Sequence, residues 1–233
     1  LQEVRLPQNS AQRIADRLQG YSVHLCPKMG RQSGREALVI LSRLPVDDHE
    51  TLSLGFQDRV AQRVTVQHAG QRWVFANVHL YYSLTNDARR SLQVQQLIDW
   101  LPQAGPSIIC GDFNAMPGAQ SMRTMRRRFA SAFACAAGHE PPFTFPTHLR
   151  RGPGLRRLLQ RVILYTGGVL LQRRWASFRA TLDYIFVDPA IRVHDCHVAF
   201  QQPSDHAAAI FASDHLGLAA VLEVTSSQDP DRT

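Results

Sequence analysis

The chain has 233 residues, a net charge of +7 and a single lysine among its 26 basic residues. Its hydrophobic fraction of 44% is typical of a globular protein with a sizeable core, and no apolar run approaches the roughly 18 residues of a membrane-spanning helix. The four cysteines are far apart and lack the spacing of a zinc site. This favours a reducing compartment such as the cytoplasm, although four cysteines could also form two disulfide bridges.

Hydrophobic periodicity predicts strands interspersed with a few helices along one continuous domain. In chain order the pattern predicts a helix at 8–18, strands at 23–25, 37–41, 60–67 and 72–80, a helix at 87–101, a strand at 107–110, a helix at 119–128, and strands at 181–187 and 216–224. No repeat or linker divides the chain, so we predict a single α/β domain over residues 1–225 and a disordered tail at 226–233. The opening letters LQEV look like the end of a strand, so we expect further sequence before Leu1.

Polar side chains suited to chemistry recur where the predicted strands end, which is where ligand sites of open α/β sheets lie. Each has a plain structural explanation when taken alone. The octet GDFNAMPG at 111–118, for example, consists largely of ordinary turn formers. Asp183 is different, because a carboxylate flanked by apolar residues on a strand is costly to bury without a partner. The candidates are Glu3, His79, Asp112, Asn114, Asp183, Asp214 and His215.

The ordered motifs QE, HL, GDFNA, LDYIF and SDH resemble those of the endonuclease/exonuclease/phosphatase superfamily. That superfamily includes pancreatic deoxyribonuclease, exonuclease III-type apurinic endonucleases, bacterial sphingomyelinases and inositol polyphosphate 5-phosphatases. The resemblance runs from Leu1 to about Val224. It implies a four-layer α/β sandwich of two packed mixed β-sheets and metal-dependent hydrolysis of phosphoester bonds.

The resemblance also implies a metal site. Glu3 resembles the family's acidic metal ligand, and Asp214 resembles a further acidic residue beside the metal. Carboxylate and water oxygens are the ligands that Mg²⁺ prefers. The expected cofactor is therefore Mg²⁺, with Mn²⁺ as an alternative.

Five further residues resemble the family's catalytic set. Asp112 resembles the residue that orients or deprotonates the attacking water, and Asn114 resembles the residue that holds a phosphoryl oxygen. His215 resembles the His that hydrogen-bonds the scissile phosphate, with Asp183 orienting its imidazole. His79 resembles the His that stabilises the phosphate or protonates the leaving oxygen.

Two departures from the family's pattern bear on this interpretation. The family has a strand before the QE motif whose Asn helps to hold the metal, and that strand is missing from this sequence, so we expect reduced activity and stability of the chain as it stands. Apurinic endonucleases carry Tyr where this chain has His79, and Lys where it has Arg5. The deoxyribonuclease, sphingomyelinase and general branches carry the His, so the resemblance argues against a repair enzyme.

A basic segment at about 149–179 is predicted to be an insertion near the catalytic face. It carries eight arginines and no acidic residue, and the apolar residues from Leu155 onward fall on one face of a helix. Three interpretations are open. The segment packs on the core with solvated arginines, forms a basic wall for nucleic-acid phosphates with Trp175 or Phe178 for stacking, or contacts a membrane surface through 155–178.

The predicted function is metal-dependent hydrolysis of phosphodiester bonds, with nucleic acid favoured as the substrate. One alternative is a phosphodiesterase or phosphatase that acts on phospholipid or phosphoinositide head groups at a membrane surface. A second alternative is an inactive relative that binds phosphate ligands without turnover.

Overall fold

The computed structural model describes residues 1–6, 8, 10–30, 33–83, 86–103, 105–146, 179–203 and 211–224. Its strands are β1 (Val4–Arg5), β2 (Ser22–Pro27), β3 (Glu36–Ser42), β4 (Asp48–Gly55), β5 (Arg59–His68), β6 (Gln71–His79), β7 (Ser107–Asp112), β8 (Ala130–Ser131), β9 (Phe145–Pro146), β10 (Arg179–Ala180), β11 (Asp183–Val187), β12 (Ile191–Ala199) and β13 (Gly217–Val224). The helices within these ranges are α1 (Ser10–Leu18), α2 (Ala88–Trp100), α3 (Gln120–Met125) and α4 (Ala132–Ala137).

A six-stranded mixed sheet, ordered β4-β5-β6-β7-β11-β8, forms the centre of the molecule. Valine and isoleucine recur in its inner strands and suit a buried pleated surface. β6 and β7 run parallel, whereas the other neighbouring strands are antiparallel. The parallel pair needs a crossover connection, which contains α2.

Each face of the six-stranded sheet has its own core, because successive residues of a strand point to opposite faces. On one face, Val78 belongs to the same buried cluster as Leu97 of α2 and Met122 of α3. On the other face, Trp73 shares a cluster with Cys196 of β12, and β12 pairs with β13 in an antiparallel sheet. The mixed sheet is therefore covered by helices on one side and by a sheet on the other.

A three-stranded antiparallel sheet, ordered β1-β3-β2, covers another part of the second face. Cys26 and Leu38 of this sheet cluster with Val60 of β5, whereas Ala11 of α1 packs with Val4 on its outer side. The layers of the molecule are thus, in order, helices α2 and α3, the mixed sheet, the antiparallel sheets and helix α1. The predicted α/β sandwich of packed sheets is confirmed, with a mixed sheet packed against antiparallel ones.

The predicted helices and strands are present, with ends that differ by a few residues. β4, α4 and β12 are not predicted by the sequence pattern. β4 is an edge strand whose side chains are mostly polar and at least partly exposed, so it lacks the apolar alternation of a core strand. β12 contains a register shift between Val193 and Asp195, which breaks the period of two.

Residues 149–178 of the predicted basic segment and the predicted tail at 226–233 lie outside the described residues. The three interpretations of the basic segment therefore stay predictions. Among the helices in the described ranges, none has the length and apolar character to cross a membrane.

Candidate active site

Three strand ends bring three of the predicted residues into one row. In the pairing of the sheet, His79 at the end of β6 lies opposite Asp112 at the end of β7, and Asp112 lies opposite Asp183 at the start of β11. Neighbouring strands are about 4.8 Å apart, so the three side chains share one edge of the sheet. The hydrophobic pattern that buries the strands thus also sets the spacing of the site.

The GDFNA segment forms a tight turn that carries two of the candidate catalytic side chains. The backbone N–H of Asn114 donates to Oδ1 of Asp112 at 2.8 Å, and Nδ2 of Asn114 donates to the carbonyl oxygen of Leu80 at 3.1 Å. Asn114 has a φ of +50°, in the left-handed region that Asn tolerates better than most residues. Gly111 is required by close packing, because a Cβ at this position would lie 2.0 Å from the carbonyl oxygen of Val78.

The imidazole of His215 is held by a buried network. Its Nδ1 lies 2.8 Å from Oδ2 of Asp183, and the hydroxyl of Thr144 donates to the same oxygen at 2.6 Å. The Thr144 hydroxyl in turn accepts from the backbone N–H groups of Leu182 and Asp183 at 3.0 and 3.1 Å. The ring of Phe145 lies 4.8 Å from that of His215. The sequence analysis did not identify Thr144, because a Thr in an irregular stretch carries no local signal of this role.

The surroundings of His215 favour its cationic form. Burial alone would lower the pKa of its imidazole, but the hydrogen bond and charge of Asp183, together with the charges of Asp112 and Asp214, raise the pKa to about 9. A cationic imidazole is the form that best assists a phosphate anion. The prediction that Asp183 has a partner is confirmed by this pair.

Asp112 holds its proton more tightly than an ordinary aspartate. Burial and the neighbouring charge of Asp183 raise the pKa of Asp112 to about 7, against the opposing effects of His215 and the backbone N–H of Asn114. Carboxylate pairs of this kind are often stabilised by a bound cation.

A possible set of metal ligands is visible in the same place. Asp112, Asp183 and His215 each offer one ligand atom, and these atoms lie within 4.8 Å of one another. A protonated imidazole does not bind a metal, so the two carboxylates are the donors that suit a hard divalent ion. The donor chemistry of the site therefore fits Mg²⁺ or Mn²⁺.

His79 lies on the other side of Asp112. Its Nε2 is 3.4 Å from Oδ2 of Asp112 and 3.9 Å from Oε1 of Glu3. Burial, followed by the positive charges of Arg59 and Lys28, lowers the pKa of His79 to about 2. This shift favours the neutral form of the imidazole.

Glu3 and Asp214 are less deeply placed than the other candidates. The side chain of Glu3 is 61% exposed, and its φ of +55° is unusual for a residue other than glycine. Such backbone strain tends to occur at functional positions. Asp214 is partly buried beside His215, and its charge contributes to the raised pKa of that imidazole.

Two buried basic residues near the site were not identified from the sequence. The side chain of Lys28 forms an ion pair with Glu36. Arg59, at the start of β5, is 8% exposed, and neither Nε nor Nη1 of its guanidinium has a hydrogen-bond partner in the described part of the chain. Burial lowers the pKa of Arg59, and the charges of Asp112 and Glu3 oppose this effect. Asp112 and Glu3 thus partly balance the charge of this buried cation, and its unused donors are available to an anionic ligand.

The structure thus brings six of the seven predicted residues to one face and places the seventh, Asp214, next to His215 in the chain. Sequence patterns identified these residues because each follows or precedes an apolar strand. Thr144, Lys28 and Arg59 act through contacts made only in the folded molecule. A single basic residue at a strand end has no distinctive pattern.

Comparison with known proteins agrees with the fold. A family model described as Endonuclease/Exonuclease/phosphatase family matches residues 1–215. The human Nocturnin catalytic domain with bound sulfate is similar, with a TM-score of 0.68 and 23% identity over 97% of this chain and 79% of that chain. D. rerio TDP2 complexed with single-strand DNA product is also similar, with a TM-score of 0.71 and 17% identity over 96% of this chain and 84% of that chain.

An endonuclease/exonuclease/phosphatase from Bacteroides vulgatus has a TM-score of 0.67 and 18% identity over 96% of this chain and 83% of that chain. A search of curated proteins gives no significant match. At these identities the solved structures support the fold, whereas the family model covers most of the sequence itself. The chain therefore belongs to the endonuclease/exonuclease/phosphatase family.

Proposed function

We propose that this protein is a phosphodiesterase that cleaves nucleic acid with the help of a divalent metal ion. Members of its family hydrolyse phosphoester bonds, as the family resemblance implies. The observation that carries the proposal is the close group of Asp112, Asp183 and His215, in which the ligand atoms lie within 4.8 Å of one another. This group combines a carboxylate of raised pKa with a cationic imidazole, a pairing suited to in-line attack of water on a phosphate.

Asp112 accepts the proton of the attacking water. Its pKa of about 7 is close to the value at which a general base is most effective near neutral pH. His215, kept cationic by Asp183, donates a hydrogen bond to a non-bridging oxygen of the scissile phosphate. Asn114 uses one amide hydrogen for Leu80 and has a second for a phosphoryl oxygen.

Arg59 and His79 complete the phosphate site in this proposal. The unused donors of Arg59 complement the charge that develops on the phosphoryl oxygens. As the bond from the attacking water to phosphorus forms, the P–O bond to the leaving oxygen breaks, and that oxygen takes a proton from solvent water. The lowered pKa of His79 favours its neutral form, so we assign His79 a hydrogen bond to the phosphate.

Of the carboxylates of the site, Glu3 is the one left to hold the metal, because Asp112 serves as the base and Asp183 holds His215. Asp214 is a further acidic residue nearby. A bound Mg²⁺ or Mn²⁺ would supply charge neutralisation and a lowered pKa of coordinated water.

Nucleic acid is the favoured substrate for two reasons. A single-strand DNA product is bound in the structure of D. rerio TDP2, which is similar in fold. The net charge of +7 also suits a polyanion, and the eight arginines of residues 149–179 supply it, because the rest of the chain has a net charge of −1 (7 − 8). The phospholipid alternative depended on residues 155–178, which lie outside the described residues, and no described contact favours it.

The test is hydrolysis of a single-stranded oligonucleotide and of a small phosphodiester in Mg²⁺, in Mn²⁺ and in EDTA. We expect cleavage with metal, none in EDTA, and at least a roughly 100-fold loss in Asp112→Ala and in His215→Ala. His197→Ala is the matched control, because His197 forms a similar pair with Asp195 at 2.7 Å on an exposed strand. Cleavage that persists in both site variants would exclude the proposal. Binding of phosphate without turnover would support the inactive alternative.

A further inference from the structure

A cluster of aromatic rings and one arginine lies next to the candidate active site. Tyr81 and Tyr82 follow His79 beyond the end of β6, and Phe56 lies in the turn between β4 and β5. The rings of Phe56 and Tyr81 meet edge to face at 6.2 Å. The guanidinium carbon of Arg89 lies 5.0 Å from the ring centre of Phe56 and 5.2 Å from that of Tyr81. Tyr82 adjoins this cluster as the neighbour of Tyr81 in the chain and through backbone hydrogen bonds to the side chain of Gln57. We call Phe56, Tyr81, Tyr82 and Arg89 the aromatic platform.

The platform presents large aromatic surface to solvent. Phe56 is 41% exposed and Tyr82 is 49% exposed. Arg89, which is itself exposed, donates to the hydroxyl of Tyr81 at 3.1 Å. Single exposed apolar residues are common, whereas exposed rings grouped beside a polar site suit a binding surface.

Two glutamines hold the backbone of the platform in place. The side chain of Gln57 accepts from the N–H of Tyr82 at 3.1 Å and donates to its carbonyl oxygen at 3.3 Å. The buried Gln93 accepts from the N–H of Tyr81 at 2.7 Å and donates to the carbonyl oxygen of Phe56 at 3.5 Å. Exposed rings on a backbone fixed in this way are preorganised for a ligand.

The aromatic platform lies close to the proposed phosphate site. Tyr82 is three residues beyond His79, which limits their separation to about 11 Å of extended chain. Oε1 of Gln57 also accepts a long hydrogen bond of 3.4 Å from Arg59, whose other donors lack partners among the described residues. A strand with its phosphate at Arg59 and His215 would therefore carry its neighbouring base towards the platform.

We propose that the aromatic platform is a nucleobase subsite, which stacks the base next to the scissile phosphate on Tyr82 and Phe56. This inference rests on the proposed function. Exposed rings alternating with arginine are the usual means of binding single strands, because every base offers a flat face for stacking. A planar nucleobase fits rings whose backbone is rigidly held.

The experiment compares a single-stranded oligonucleotide with an abasic strand of the same length, by fluorescence anisotropy in EDTA. We expect the protein to bind the base-bearing strand more tightly, and Tyr82→Ala and Phe56→Ala each to weaken that binding by about 5- to 100-fold. The loss is confined to the base-bearing strand, and Tyr82→Phe retains binding.

Tyr21→Ala is the matched control. Its ring also lies against an arginine, Arg43, at 4.8 Å. Tyr21 directly precedes β2, whose other end, at Pro27, is the end near the site. The length of the strand therefore places Tyr21 about 20 Å from that end. We expect this variant to bind both strands like the unchanged protein.

Several outcomes would overturn the subsite. The first is equal affinity of the protein for the base-bearing and the abasic strand. The second is an equal loss of affinity for both strands in the variants. The third is a Tyr82→Ala variant that binds both strands normally and loses binding only to anionic phospholipid vesicles. Cleavage of the abasic strand in Mg²⁺ separates this inference from the proposed function. Cleavage without any base preference refutes the subsite alone, whereas base preference without cleavage of either strand refutes the proposed phosphodiesterase alone.

Discussion

The charge of His215 is set by its neighbours rather than by the imidazole itself. Asp183 supplies both a hydrogen bond and a negative charge, and Thr144 fixes the carboxylate that does so. His79, in contrast, is buried near the positive charges of Arg59 and Lys28, and both effects lower the pKa of its imidazole. The neutral form is therefore favoured at His79, although it lies next to the carboxylate of Asp112. The two histidines of the site thus favour different protonation states.

These pKa shifts predict a bell-shaped dependence of kcat/KM on pH. Activity rises as pH increases through about 7, because Asp112 must lose its proton to act as a base. Activity falls as pH increases through about 9, because His215 then loses the proton that it donates to the phosphate. Asp183→Asn should move the alkaline limb downward by at least about one pH unit, since the negative charge that supports the cation is removed.

The control for this profile is Asp195→Asn, which changes an exposed aspartate that pairs with His197 at 2.7 Å. It should leave both limbs in place. An alkaline limb that does not move in Asp183→Asn would show that His215 is not the group that titrates there.

At the scale of the elements, close contact between β6 and β7 builds the site. Gly111 lies one residue before Asp112 and opposite Val78 in the pairing of the two strands. A Cβ would fall 2.0 Å from the Val78 carbonyl oxygen, which is backbone and cannot rotate away. The small residue therefore allows the spacing that brings His79 beside Asp112.

We predict that Gly111→Ala lowers the free energy of unfolding by about 3 kcal/mol, because the two strands must separate to admit the methyl group. Gly118→Ala is the control within the same octet, since nothing lies within 4 Å of a Cβ there. It should change the stability by less than about 0.5 kcal/mol. Urea denaturation measures both, and similar stabilities for the two variants would contradict the packing argument.

The elements also show why part of the fold could be predicted from the sequence and part could not. β7 and β11 are continuous apolar stretches in the centre of the sheet, so composition alone identifies them. β4 depends on pairing with β5 at the edge, and the bulge in β12 breaks its alternation. The strand ends that carry His79, Asp112 and Asp183 were predictable for the same reason as their strands. Arg59 and Thr144 were not, because their roles depend on partners distant in sequence.

At the scale of the whole molecule, the two packed sheets meet at Asn77. This buried side chain of β6 donates from Nδ2 to the carbonyl oxygens of Leu1 and Val39, both at 3.1 Å. Its Oδ1 accepts from the side chain of Gln2 at 2.6 Å. Asn77 therefore joins the central sheet to the segment that carries Glu3. The position of Glu3, the proposed metal ligand, thus depends on this junction between the sheets.

Asn77→Ala should therefore affect both stability and the metal requirement. We expect a loss of about 2 kcal/mol in the free energy of unfolding, because buried carbonyl groups lose their donor. We also expect a several-fold higher Mg²⁺ concentration for half-maximal phosphodiesterase activity, since Glu3 is held less firmly. Gln95→Ala, which removes an exposed side chain that bonds to Asp99 at 2.8 Å, should change neither quantity. A stability loss with an unchanged Mg²⁺ requirement would mean that the junction supports the fold without positioning Glu3.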